Sequence, residues 1–128
     1  MALMAGGVMV AKLKHRVLLV DDDERVLRFT RLKLMASGLD VLTAMTGQGA
    51  LAMIESGEPD IVILDMKMPG MSGLEVLREL RSHSDLPVII ISAADLPPEA
   101  ITLGANAYIP KPFDPDELLR EIQTILRR

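Results

Sequence analysis

Four short stretches of this 128-residue chain carry side chains that could do chemistry together. Asp21-Asp22-Asp23-Glu24 follows the apolar run Val17-Leu18-Leu19-Val20, and Asp65-Met66-Lys67-Met68-Pro69-Gly70 follows Ile61-Val62-Ile63-Leu64. Ser92-Ala93-Ala94 follows a run over 87–91, and Lys111, between Pro110 and Pro112, follows Ala107-Tyr108-Ile109. Carboxylates brought close repel one another unless a cation compensates them, and a hard divalent ion with oxygen ligands suits that need. There is no cysteine, and the only histidines are His15 and His83. Thiol catalysis, disulfide staples, cysteine-ligated zinc or iron–sulfur and multi-histidine centres are therefore excluded. Mg²⁺ is the natural ion, with Mn²⁺ as a substitute. A lysine ammonium and a hydroxyl opposite such an ion would cradle a phosphoryl group, with Asp65 at the centre as a carboxylate nucleophile.

These groups can meet only if the fold brings the ends of the apolar runs together. Five runs recur, at 17–20, 39–44, 61–64, 87–91 and 107–109. The first, third and fourth are continuous rather than alternating, as strands buried on both faces of a parallel sheet are. Between them lie helical segments. Residues 24–36 place Val26, Leu27, Thr30, Leu34 and Met35 toward one face and stop at Ser37-Gly38; residues 47–55 end before Gly57. Ser72-Gly-Leu-Glu75 and Asp114-Pro-Asp-Glu117 both fit the capping-box pattern, with Pro115 at a first helical position. The order is β-α five times, a (βα)5 doubly wound α/β domain with helices on both faces of one sheet. Ligands of such sheets bind beyond the carboxyl ends of the strands, which is where these groups lie.

Composition narrows the class further. Apolar residues make up 49% of the chain and charged residues 25%, as in a single globular domain. The net charge of −4 argues against direct binding of nucleic acid. No apolar run approaches membrane-spanning length. Residues 1–14 are read as a poorly ordered leader ahead of a domain at 15–128. Their positive charges follow the apolar part, the wrong order for a signal peptide, so a cytoplasmic location is expected.

Val20-Asp-Asp, Leu64-Asp-Met-Lys-Met-Pro-Gly-Met-Ser-Gly, Ile91-Ser-Ala and Tyr108-Ile-Pro-Lys-Pro-Phe together resemble the receiver domain of two-component response regulators. The likeness covers residues 16–128, and its strength lies in four motifs in order, each after a strand. It implies a flavodoxin-like five-stranded parallel sheet of order 2-1-3-4-5. It implies that Asp65 accepts a phosphoryl group from the phosphohistidine of a sensor histidine kinase or histidine phosphotransfer protein. Mg²⁺ would be held by Asp22, Asp65 and the backbone carbonyl of Lys67, with Asp21 acting through water. Ser92 and Lys111 would bind phosphoryl oxygens, Tyr108 would be a switch residue, and the Lys111–Pro112 bond would be cis. The domain would be a signalling element rather than an enzyme, assisting its own phosphoryl transfer and dephosphorylation and switching a surface for an unknown output domain or target protein.

Each residue also has a plainer reading. Asp21 to Glu24 could be helix caps, and Asp23 and Glu24 are read as such. Asp65 could be a turn aspartate, Ser92 a strand-end hydroxyl, Lys111 a solvated charge and Tyr108 a half-buried core tyrosine. Met66, Met68 and Met71 are read as packing, and His83 as exposed polar surface. A phosphatase of the haloacid-dehalogenase type would want a second Asp two residues after its nucleophile, where this chain has Lys67. A phosphorylation-independent pseudo-receiver would lack an acidic ligand, Asp65 or Lys111, and all are present. One departure from the family stands out: the segment between Ser92 and Lys111 is short and holds Pro97-Pro98, so helix 4 is expected to start at Pro98 and to be a stub of under two turns. Its only charge is Glu99, so the family's helix-4 dimer is not carried over, and signalling is expected through helix 5, strand 5 or another surface.

Overall fold

A computed structural model of the chain describes residues 14–127 and, before them, only a two-residue antiparallel strand pair, Ala2–Leu3 with Met9–Val10. The expected poorly ordered leader thus falls, apart from Lys14, outside the residues whose side chains are described.

The five apolar runs become five strands: β1 (Arg16–Val20), β2 (Asp40–Ala44), β3 (Ile61–Asp65), β4 (Val88–Ser92) and β5 (Ala107–Pro110). All pair in parallel, in the order 2-1-3-4-5. Five helices alternate with them: α1 (Glu24–Ala36), α2 (Gly47–Glu55), α3 (Gly73–Arg81), α4 (Pro98–Thr102) and α5 (Pro115–Leu126). The expected (βα)5 architecture is the one found, with strand boundaries within a residue of the apolar runs.

The pleat of the central strands explains why their sequences read as unbroken apolar runs. Side chains alternate between two buried faces. Leu18, Val20, Val62, Leu64, Val88 and Ile90 pack with Ala50 and Ile54 of α2, with Val76, Leu77 and Leu80 of α3 and with Ala100 of α4. Val17, Leu19, Ile61, Ile63, Ile89, Ile91 and Ile109 pack with Leu27 and Leu34 of α1 and with Leu118, Ile122 and Ile125 of α5. Every residue of β3 and β4 is buried, while the edge strand β2 is only half covered.

Local signals set the helix ends. Asp23 caps α1 through the N–H groups of Arg25 and Val26, and Thr46 caps α2 through that of Gly49. Ser72 and Glu75 form the full capping box expected at α3. Asp114 departs from that pattern: its carboxylate accepts from the Asp116 N–H, two residues on. An aspartate side chain readily closes that shorter loop, and the box with Glu117 is not made. The α1 face is also narrower than expected. Leu27, Thr30 and Leu34 are buried, but Met35 is 44% exposed because it sits a further 100° round the helix from Leu34. Helix α4 is the expected stub, five residues starting at Pro98.

Candidate functional site

Register builds the site. Val20 of β1 is aligned with Leu64 of β3, so the next residues, Asp21 and Asp65, stand side by side at the carboxyl rim of the two central strands. Both follow the parity of Leu19 and Ile63, toward the α1–α5 face. Across β3, Asp65 is aligned with Ile91, which places Ser92 one residue further along β4; Ser92 is in turn aligned with Pro110, just ahead of Lys111. Asp22, Asp65, Ser92 and Lys111 therefore converge on one rim because their strands share a register.

Asp21 is almost fully buried and bonded on both oxygens. Its Oδ1 accepts from the Asp23 N–H at 2.9 Å, which turns the chain into α1, and its Oδ2 accepts from Lys111 Nζ at 2.7 Å. Asp65, also buried, accepts from the Lys67 N–H on Oδ1 at 3.2 Å and lies 3.4 Å from Lys111 Nζ through Oδ2. Asp22 is exposed at the mouth. One oxygen from each of Asp21, Asp22 and Asp65 can be chosen so that all lie within 4.8 Å of one another.

The electrostatics are unbalanced. Three carboxylates face the single ammonium of Lys111, leaving the cluster two charges short of neutral when all are ionised. Burial of Asp65, and next the charge of Asp21, push its pKa up to about 6, against the opposing pull of Lys111 and of the Lys67 N–H. Burial on its own would lower the Lys111 pKa, but the hydrogen bond and charge of Asp21, helped by Asp65, more than offset it and leave it raised. A divalent cation would supply the missing charge, and the donors are all oxygens, as Mg²⁺ requires. The residues present fit such an ion.

The other expected site residues fall around this cluster. Ser92 is buried, and its Oγ accepts from the Ala94 N–H at 3.1 Å. The Lys67 side chain is exposed. Tyr108 is half-buried and its hydroxyl donates to the Ala94 carbonyl at 2.8 Å. The Lys111–Pro112 bond is cis, as expected. Lys111 itself, expected to pair with a phosphoryl oxygen, here bridges Asp21 and Asp65. Met66 and Met68 are buried and Met71 packs against the same core, while His83 is exposed.

One residue of the site escaped the sequence reading. Gly73, the first residue of α3, donates its N–H to the Met66 carbonyl at 3.1 Å. A Cβ on it would sit 2.7 Å from Met66 Cα and 2.9 Å from the Asp65 carbonyl carbon, closer still to the Asp65 oxygen. Only a glycine lets the helix start abut the backbone of Asp65. The signal available was weak: a glycine within a helix costs stability, so one in the first turn of α3 is consistent with a close backbone approach.

A family model of the response regulator receiver domain matches residues 17–123. The chain belongs to that family. It is a response regulator receiver domain of the two-component type, and receiver domains are signalling domains rather than conventional enzymes. Response regulator MprA of Mycolicibacterium vanbaalenii is 44% identical over 117 residues, covering 88% of this chain and 51% of that protein. The receiver domain of Francisella response regulator 1452 superposes with a TM-score of 0.84 at 33% identity, covering 90% of this chain and 98% of the other. Response regulator TrrA of Thermotoga maritima, solved in complex with Mg(2+)-BeF, has a TM-score of 0.78 at 34% identity, covering 87% and 98%. The chain spans about half the length of the curated relatives it matches. Among the described residues, no helix of this receiver domain is long and apolar enough to cross a membrane.

Proposed function

We propose that this receiver domain accepts a phosphoryl group on Asp65 from the phosphohistidine of a sensor histidine kinase or a histidine phosphotransfer protein. The observation that carries this is the cluster itself: a buried carboxylate at a strand end, flanked by two more within 4.8 Å and by the Lys111 ammonium. In the transfer, the P–N bond to histidine breaks as a P–O bond to an Asp65 oxygen forms, with the phosphoryl group passing in line between them. Asp22, Asp65 and the Lys67 carbonyl would hold Mg²⁺, and Asp21 would act on it through water; bound there, the ion neutralises charge on the phosphoryl oxygens. Lys111 exchanges its carboxylate partners for a phosphoryl oxygen, and Ser92 turns its hydroxyl to another. Water attack on the acyl phosphate, assisted by the same groups, returns the domain to its starting state.

Support for the ion comes from the all-oxygen donor set and from the relative solved with Mg(2+)-BeF, a pairing that mimics a phosphoryl group on its metal. Mn²⁺ meets the same ligand requirements. The exposed Lys67, where a haloacid-dehalogenase phosphatase would need its acid, speaks against that chemistry. The hydrogen bond from the Tyr108 hydroxyl to Ala94, two residues past Ser92, supports the reading of Tyr108 as a switch residue that follows Ser92. Output passes to an unknown domain or target protein. The net charge of −4 disfavours nucleic acid as the direct partner of this domain, and a cytoplasmic location accords with a kinase partner there.

Site mapping tests the proposal. Phosphoramidate, whose P–N bond stands in for phosphohistidine, is supplied with Mg²⁺, and the acyl phosphate is reduced with borohydride before proteolysis. The expected product is homoserine at position 65 alone; reduction at another aspartate would overturn the assignment.

A further inference from the structure

The stub α4 is fastened to α3 at both of its ends. At its start, Glu99 Oε2 lies 2.7 Å from both Nε and Nη2 of Arg78. At its end, Arg81 donates from Nε to the Leu103 carbonyl at 2.7 Å and from Nη2 to the Gly104 carbonyl at 3.1 Å. The remaining arm of that guanidinium donates from Nη1 to the carbonyls of Ser84 at 3.2 Å and Leu86 at 2.8 Å, in the loop that leads from α3 to β4. One planar fork thus joins the carbonyls of Leu103 and Gly104, the two residues that follow α4, to the end of α3.

A helix of five residues has too few internal hydrogen bonds to hold itself, so its position is set by what it is fastened to. Besides the packing of Ala100 into the core, two sets of hydrogen bonds fasten it. One is to α3, through Arg78 and Arg81. The other runs back to the site: Ser92 Oγ accepts from the Ala94 N–H, and the Ala94 carbonyl accepts from Tyr108. Between Ala94 and the start of α4 lie only Asp95, Leu96 and Pro97, and two consecutive prolines, Pro97 and Pro98, stiffen the join.

We propose that α3 and α4 move as one clamped unit, so that modification of Asp65 is read out on α3 as well as on α4, through the 93–97 segment, Arg78 and Arg81. This rests on Asp65 as the acceptor. Of the surfaces expected for output, helix 5, strand 5 or another, it selects another, because the two arginines route the displacement across to α3.

Hydrogen–deuterium exchange of the full chain tests it, with Mg²⁺ and beryllium fluoride standing in for the phosphoryl group. In the wild type, exchange in residues 74–83 and 98–104 is expected to change together, by about threefold or more. Two double variants free α4 at both ends without emptying the core: Arg81→Lys, which keeps the charge but loses the fork, combined with Glu99→Ala or with Arg78→Ala. In these, the response at 98–104 persists and that at 74–83 is lost. A wild-type response at 98–104 with 74–83 unchanged overturns the proposal, as does a coupled response that survives in both variants. Peptides covering 65–70 report the site directly: if they show no Mg²⁺-dependent change, the acceptor assignment fails and the proposal falls with it.

Discussion

Replacing Asp65 by Asn should stabilise the metal-free protein at neutral pH, although it removes the residue on which the proposed chemistry rests. In the native state the Asp65 carboxyl is held at about 6, by burial first and by the neighbouring charge of Asp21 second. In the unfolded chain it returns to roughly 3.9. Between those values the native state binds more protons than the unfolded one, so stability falls as pH rises through the window from about 4 to 6. The cost is absent below about pH 4 and complete above about pH 6.5. Two units at about 1.4 kcal/mol each set a ceiling near 3 kcal/mol, and part of it survives in the variant's own buried amide, so a gain of about 2 kcal/mol is expected. The Asn side chain can still accept from the Lys67 N–H. Other shifted carboxylates, Glu99 beside Arg78 and Asp116 beside Lys33, are held low and contribute with the opposite sign, but equally in both proteins, so they cancel in the difference. The assay is urea unfolding in EDTA from pH 4 to 7.5. A difference of about 2 kcal/mol corresponds to a midpoint shift of roughly 1 M in urea. Saturating Mg²⁺ should then stabilise the wild type and close the gap, since the ion binds the native cluster and loses a ligand in the variant. A gap that does not change with pH, or a variant less stable than wild type at pH 7.5 in EDTA, would refute the reasoning.

Three further outcomes follow from the same geometry. Gly73→Ala places a methyl group against the Asp65 and Met66 backbone, so it should cost about 2–3 kcal/mol in chemical denaturation and weaken Mg²⁺ binding about tenfold or more, read by calorimetry. Lys111→Met leaves Asp21 and Asp65 without their cation; the metal-free protein should lose about 3 kcal/mol at pH 7, and Mg²⁺ should restore part of it. Ile63→Ala, in the fully buried centre of β3, should cost about 3–4 kcal/mol while leaving Mg²⁺ affinity within about twofold, which separates core packing from site chemistry.

Much of the fold was legible because its signals are local. Unbroken Val, Leu and Ile runs in β3 and β4 report burial on both faces, and Ser72 with Glu75 wrote the start of α3 into four residues. The convergence of Asp21, Asp22, Asp65, Ser92 and Lys111 could be anticipated because each ends or follows a strand of one parallel sheet, and such ends share a rim. What could not be read depends on distance in space. That Lys111 would bridge Asp21 and Asp65 depends on rotamers 90 and 46 positions apart in sequence, which no periodicity encodes. Gly73 looked like part of a cap, and its contact with the Asp65 backbone exists only once α3 is laid against β3. The exposure of Met35 turned on where the packed stripe of α1 ends, which the neighbours of the helix decide. The arginine clamp on α4 was hidden for the same reason, since the partners there of Arg78 and Arg81 lie 21 to 23 positions away and meet them only once α4 is laid beside α3.

The most direct test of the central claim is intact mass after incubation with acetyl phosphate, with and without Mg²⁺, beside the Asp65→Asn variant. A gain of one phosphoryl group that requires Mg²⁺ and disappears in the variant is the predicted result. A gain of equal size in the variant, or one indifferent to Mg²⁺, would contradict the assignment of Asp65 as the metal-assisted acceptor.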